Sequence, residues 1–352
     1  MSLSHLTLSN VRCIEHAALE IPPGLTLISG PNGSGKTSVL EGAFMLGRGR
    51  SFRTRNSERL IRYEQDHLRV IGRVQRPESV VETIGFEVTR SGTTARIGGR
   101  TAESLAQLSQ AFAVQVIDPG VHRLVEEAGY RRRRWLDWAV FHVEPRFVET
   151  WVRYTRTLKQ RNAALRSGAD PHLWESELAR LGESISHYRH DLVDRLQPYW
   201  REELASLVGL PVELSYQRGW SQEHTLAEAL AASRVRDRAR AVTHPGPHRA
   251  DITVRLHGRA AREVLSRGQQ KLVAVAMTVA QLRLLQELTQ IRPTLLLDDP
   301  AAELDGDFLQ RFIGQVARLR CQLVVTSLHA ESRLFGTPDR QFRMEEGRLQ
   351  PL

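Results

Sequence analysis

Residues 25–46 read LTLISGPNGSGKTSVLEGAFML, an apolar run the length of one strand, a glycine-rich turn, and a helix-forming segment. Within it Gly30, Pro31, Asn32, Gly33, Ser34, Gly35, Lys36 and Thr37 satisfy the pattern G-x-x-x-x-G-K-[ST]. Backbone N–H groups of such a turn converge and cradle a phosphate, and its glycines permit the backbone angles and the close approach. The helix that begins near Lys36 directs its positive dipole end at the same point. Lys36 is expected to reach the β- and γ-phosphates and the Thr37 hydroxyl to ligate Mg2+. The expected ligands are therefore ATP and Mg2+, on an α/β frame.

A second stretch, PTLLLDDPAAELD (293–305), is an apolar strand ending in two acids. A buried strand that delivers an aspartate at its C-terminal end is how P-loop folds complete the Mg2+ shell. Asp298 is the expected metal-side ligand, through water, and Asp299 is placed to polarise the attacking water. Asp305 is expected close to the nucleotide. The bland alternative is a pair of strand-end carboxylates capping the next turn.

A third stretch, LSRGQQK (265–271), opens the apolar segment LVAVAMTVAQLRLL. Alone it reads as a serine-capped helix start. Its position between the phosphate loop and the second acidic strand gives an order that resembles the ABC-type ATPases. In that class a Ser-x-Gly-Gln turn contacts the γ-phosphate of ATP held by the opposite subunit of a head-to-tail dimer. The resemblance assigns Ser266, Gly268 and Gln269 to ATP, with Lys36, Asp298, Asp299 and Ser266 as the catalytic set. Arg267 stands where many members carry glycine.

The chain is similar, nearly end to end, to the RecF family of SMC-like ABC-type ATPases. The resemblance is carried by LTLSNVRCIEHAALEI (6–21), the phosphate loop, GRGRSFRTRNSERLIRY (47–63), VIDPGVHRLVEEAGYRRRRWLDWAVF (116–141), GPHRAD (246–251), LSRGQQK and LLLDDPAAELD. It implies ATP-dependent DNA binding with preference for single-strand/double-strand junctions and gapped DNA, an ATP-dependent homodimer, and RecR (with RecO) as partner. The implied role is recombinational repair and replication-gap processing, with SOS induction. Two departures bear on mechanism. Thr326-Ser327 occupy the place of the usual switch histidine, with His329 two residues later, and aspartate replaces the common glutamate at position 299. Hydrolysis is expected to be slow, ATP acting as a timed clamp. Two other readings are a transporter's ABC motor subunit and a nucleotide-gated scaffold with negligible turnover.

The expected fold is an ABC-type P-loop ATPase core, a mixed sheet with flanking helices and a β-lobe, plus a short helical arm. Residues 1–120 form the N-terminal part of the core, with a small antiparallel sheet from 67 turning at Ser91-Gly92. Residues 121–241 are mainly helical. Phe147, Trp151, Tyr154, Leu158 and Leu165, then Leu178 to Leu196, recur at helical spacing, and RSGADP (166–171) breaks the run, which predicts two antiparallel helices of roughly 20–25 residues with the aromatic stripe as packing core. Residues 242–352 close the core.

Net charge is +9. Only three residues are lysine, so the excess is arginine, which suits bidentate phosphate contacts but also follows from codon bias. Arg50, Arg53 and Arg55, and Arg132 and Arg133, are the candidate DNA contacts. A solvated face or an internal ion-pair network is the competing reading for each group. Nothing approaches the ~18 apolar residues of a membrane span, and no leader pattern opens the chain, so a cytoplasmic protein without membrane contact is expected. Cys13 and Cys321 read as reduced core residues. His244, His248 and His257, without cysteine neighbours, read as structural and not as a zinc site.

Overall fold

A computed structural model describes residues 1–76, 80–303, 306–330 and 333–352. The chain divides into two compact units, residues 1–121 with 275–352, and residues 122–274. Residues 242–274 thus group with the helical part, not with the C-terminal core segment as the sequence suggested.

The first unit holds two six-stranded sheets. One is antiparallel, built from β1 (Ser2–Val11), β2 (Ile14–Glu20), β4 (His67–Gln75), β5 (Val81–Thr89), β6 (Gly92–Ile97) and β7 (Arg100–Thr101), in the order β2-β1-β4-β5-β6-β7. Strict alternation in β4 buries Leu68, Val70 and Val74 and exposes Arg69 and Arg73, as a half-buried strand requires. The other sheet is built on β3 (Leu25–Ser29), β8 (Val114–Ile117), β12 (Thr294–Asp298), β13 (Gln322–Ser327), β14 (Arg340–Glu345) and β15 (Arg348–Pro351), in the order β15-β14-β3-β13-β12-β8. All its pairings are parallel except the β14–β15 hairpin. Every residue of β3 and β12 is buried, which is why both read as continuous apolar runs. Helix α1 (Lys36–Arg48) follows β3 and buries Val39, Leu40, Ala43, Met45 and Leu46. Helices α2 (Leu105–Ala111), α10 (Pro300–Glu303) and α11 (Gly306–Ala317) complete this unit. Cys13 lies exposed on the β1–β2 turn instead of in the core.

The second unit contains α3 (Arg123–Glu126), α4 (Tyr130–Val143), α5 (Phe147–Ser167), α6 (Glu175–Leu207), α7 (Leu226–Arg240) and α8 (Ala261–Val264). It also holds a three-stranded sheet, in the order β11-β10-β9, from β9 (Val212–Gln217), β10 (Asp251–Leu256) and β11 (Arg259–Ala260). Helix α5 ends at Gly168, whose φ of 74° suits glycine, and the contacts Phe147–Tyr188 and Arg161–Glu175 run α6 back antiparallel. Phe147 and Tyr154 are fully buried, as packing core. Helix α6 has 33 residues, longer than the spacing suggested. It continues through Pro198 because Trp200, Leu204 and Leu207 extend the same buried stripe. That packing outweighs the lost backbone bond. Helix α9 (Arg267–Leu288) is buried on all sides between Leu272 and Leu285 apart from Arg283, which explains its unbroken apolar sequence.

Candidate nucleotide site

β3 and β12 are not neighbours; β13 lies between them and pairs with both in parallel. The register sets Asp298 opposite Thr326, and Thr326 opposite Ile28. The C-terminal ends of three buried strands therefore place the glycine loop, Thr326 and Asp298 side by side. This is the crevice at which open parallel sheets bind ligands.

The loop from Gly30 to Thr37 is built for a close anion. Gly30, Gly33 and Gly35 have φ of 149°, 80° and 113°. A Cβ on Gly30 would stand 2.1 Å from the Met344 carbonyl oxygen, and one on Gly35 2.9 Å from Cys13 Sγ. Among the described residues, the N–H groups of Gly33, Gly35, Lys36 and Thr37 have no protein acceptor. Ser34 Oγ is buried and likewise without a partner. The first turn of α1 carries no acid that would neutralise its positive end. Lys36 Nζ donates to the carbonyls of Gly30 (2.7 Å) and Pro31 (2.9 Å), so the lysine lies along the loop. Burial lowers the Lys36 pKa, against the pull of Asp299 and Asp298.

Thr37 Oγ1 lies 2.9 and 3.0 Å from the two carboxylate oxygens of Asp298. On the other side Thr326 Oγ1 donates to Asp298 Oδ1 (2.9 Å) and accepts the Asp299 N–H (2.9 Å). Burial raises the Asp298 pKa, and the two hydroxyls, with Arg53 and Lys36, oppose that rise. Asp299 is half-buried with φ 46°, a left-handed conformation uncommon for a non-glycine residue. A hydroxyl and a carboxylate are hard oxygen donors of the kind Mg2+ takes, and N–H groups without a protein acceptor give the loop the polarity of a phosphate site. His329 is exposed and shares a cleft of about 590 Å³ with Gly30, Pro31 and Arg343. Asp305 lies outside the described residues.

Ser266 and Gly268 are exposed at the start of α9. Ser266 Oγ accepts the Gln269 N–H (3.2 Å), and Gln269 Oε1 accepts the Ser266 N–H (2.9 Å), a reciprocal cap. Gln269 thus holds the turn from within, and the serine hydroxyl and the glycine remain accessible.

Two features were missed by sequence reading. Glu41 on α1 is fully buried and is held by Arg12 at 2.5 and 3.0 Å and by Ser51 Oγ. Arg53 Nη1 approaches the same carboxylate at 3.8 Å. An acid amid SVLEGAFML was the signal, since a buried carboxylate needs a cation. Thr326 was noticed only as occupying a histidine's place.

The arginines fare unequally. Arg132 is buried, paired to Asp251 through two 2.9 Å bonds, and donates to the carbonyls of Leu124, Val125 and Glu127. Arg133 donates to the Ala250 carbonyl. Arg132 serves the second unit's interior, which corrects its reading as a DNA contact, while Arg133 is half-buried with one group committed to the Ala250 carbonyl. Arg53 lies near Asp298; Arg55 is exposed and Arg50 half-buried. His244 Nδ1 meets Asp237, and His248 bridges Tyr154 and the Thr243 carbonyl.

Residues 2–346 match the family RecF/RecN/SMC N terminal domain. A DNA replication and repair protein RecF of Pseudomonas aeruginosa is 39% identical over 99% of this chain and 97% of its own length. The chain belongs to the RecF family. A RecF protein of Pseudomonas putida is 40% identical over 99% of this chain and 98% of its own. Among solved structures, the recombination mediator protein RecF-ATP in the RecFOR pathway superposes with a TM-score of 0.88 at 24% identity, covering 99% of this chain and 97% of that one. An SmcHead bound to the C-winged helix domain of ScpA gives 0.57 at 14% identity, covering 100% and 98%. The RecF fold is thus an SMC-like, ABC-type ATPase fold. Among the described residues, no helix is long and apolar enough to cross a membrane.

Proposed function

We propose that this RecF-family protein is an ATP-dependent DNA-binding protein of replication and recombinational repair, which dimerises head to tail on ATP and is released by slow hydrolysis. The reading is carried by one observation: Thr37 and Thr326 hold a single buried carboxylate, Asp298, from two sides at the mouth of a loop whose Gly33, Gly35, Lys36 and Thr37 N–H groups lack protein acceptors among the described residues. The relatives' names, and a structural neighbour described as RecF-ATP in the RecFOR pathway, support repair as the context and RecR with RecO as partners.

The N–H groups of Gly33, Gly35, Lys36 and Thr37 bind the phosphates, and Lys36 exchanges its two carbonyl acceptors for β- and γ-phosphate oxygens. Thr37, and Asp298 through water, would hold Mg2+, which would supply neutralisation of charge developing on those oxygens. Asp299 orients the attacking water; its carboxylate is one methylene shorter than the usual glutamate, which favours slow turnover. Ser266 and Gly268 of a second copy approach the γ-phosphate along the axis of α9, whose positive end faces it. One site thus needs two chains.

Sedimentation at micromolar protein, with Mg-ATP, Mg-ADP or no nucleotide and with or without gapped DNA, tests this. A dimer is expected with ATP only, with turnover below about 1 s⁻¹, the low end of ordinary enzyme rates. Ser266→Arg is expected to bind ATP as a monomer and fail to dimerise. A chain that stays monomeric in ATP refutes the proposal. Loss of ATP binding by Ser266→Arg would make Ser266 a helix cap alone.

A further inference from the structure

Helix α5 turns one face to its neighbours through Phe147, Tyr154, Arg161 and Leu165, all buried. The opposite face carries Val152, Arg156, Lys159, Ala163 and Arg166, all exposed. Positions 156, 159, 163 and 166 recur at helical spacing, so these side chains form one stripe, about 15 Å long at 1.5 Å rise per residue.

Several exposed arginines of this unit rest on carboxylates: Arg153 and Arg180 on Glu177, Arg195 on Asp191, Arg238 on Asp170. Others, such as Arg201, Arg236 and Arg240, are exposed without an ion pair among the described residues; α5 is set apart by aligning its cations on one face. Among the described residues Arg156, Lys159 and Arg166 make no ion pair or hydrogen bond. The helix has one acid, Glu149, and it faces Arg153 at 3.7 Å. Arg156 and Lys159 are three apart and repel each other, and neither has a carboxylate partner among the described residues. On the stripe itself only Ala163 stands between Lys159 and Arg166, and α5 places no carboxylate among the three cations. Lys159 is also one of only three lysines in the sequence.

We infer that this face of α5 is a nucleic-acid backbone surface, contacting phosphates without reading bases. The inference rests on the proposed DNA-binding function and gives it a location. It also replaces Arg132, whose guanidinium group is used inside the fold.

Binding of fluorescent duplex DNA with Mg-ATP over a salt series tests it. Three lost phosphate contacts should reduce the slope of log K against log salt by about 2.7 in the Arg156→Ala/Lys159→Ala/Arg166→Ala variant, at about 0.9 per contact. Ala163→Glu, which places one acid in the stripe, should weaken binding without removing a cation. Both variants should keep wild-type thermal melting and ATP-dependent dimerisation. A triple variant with the wild-type slope overturns the inference and leaves DNA binding intact; an acidic protein partner would then be the occupant. A wild-type chain that binds no DNA in any nucleotide state overturns both.

Discussion

Replacing Thr326 by valine separates the geometry of the site from its fold. The hydroxyl is fully buried and makes two bonds of 2.9 Å, one donated to Asp298 and one accepted from the Asp299 N–H. Valine has nearly the same shape, so no cavity forms. Losing a hydrogen bond to a charged group costs about 1.5–3 kcal/mol, and an orphaned buried N–H about 1–3 kcal/mol. The added methyl returns about 0.8 kcal/mol. A net loss of about 2–5 kcal/mol is expected in the nucleotide-free protein, read as a melting temperature lower by roughly 5–15 °C. A second consequence concerns pH. The Thr326 hydroxyl lowers the Asp298 pKa against a rise caused by burial. Removing it moves that pKa further up, so the carboxylate ionises, and Mg-ATP binding sets in, only at higher pH than in the wild type. Thr326→Ser should restore both properties. If Thr326→Val melts within a degree or two of wild type, or serine restores neither, the hydroxyl does not organise the two aspartates.

Two further outcomes follow from particular contacts. Gly30→Ala places a Cβ 2.1 Å from the Met344 carbonyl oxygen at φ 149° and should cost about 2–4 kcal/mol with loss of nucleotide binding, whereas Gly33→Ala, with no atom within 4 Å, should cost only its φ strain of about 1–2 kcal/mol. Calorimetric titration with an ATP analogue and thermal melting compare the two, and equal losses would contradict the packing argument. His248 is pushed down to about 4 by burial, the neighbouring arginines adding to it. Its stabilising neutral form is fully present above pH 6.5, and about 3 kcal/mol should be lost as pH falls from 6.5 to 4, since the unfolded chain takes up the proton first. Unfolding measured over that range should lose this slope in His248→Gln.

Much of the site could be read from the chain because its parts are local. A phosphate loop is eight consecutive residues, and its strand and helix adjoin it. The acidic strand is likewise contiguous, and a run as apolar as Leu295 to Leu297 has few fates other than a buried strand. What escaped was pairing across distance. Nothing near Glu41 in sequence names Arg12, and nothing near Asp298 names Thr326. The four arginines before Trp135 looked alike, yet Arg132 is enclosed by carbonyls and Asp251. Periodicity alone could not carry α6 past Pro198, because it was the packing of Trp200 and Leu204 that kept the helix going.

The sequence by itself therefore determined the phosphate cradle, the acidic strand and the capped turn at Ser266, whose backbone angles and donors are set within a few residues. The tertiary structure alone decided that β13 stands between β3 and β12 and so lends Thr326 to Asp298. It also decided which arginines are consumed inside the fold and which, on the outer face of α5, are left to meet something else. Strand order and ion pairing depend on groups brought together from far apart in the chain, and a carboxylate accepts whichever cation the folded backbone delivers to it.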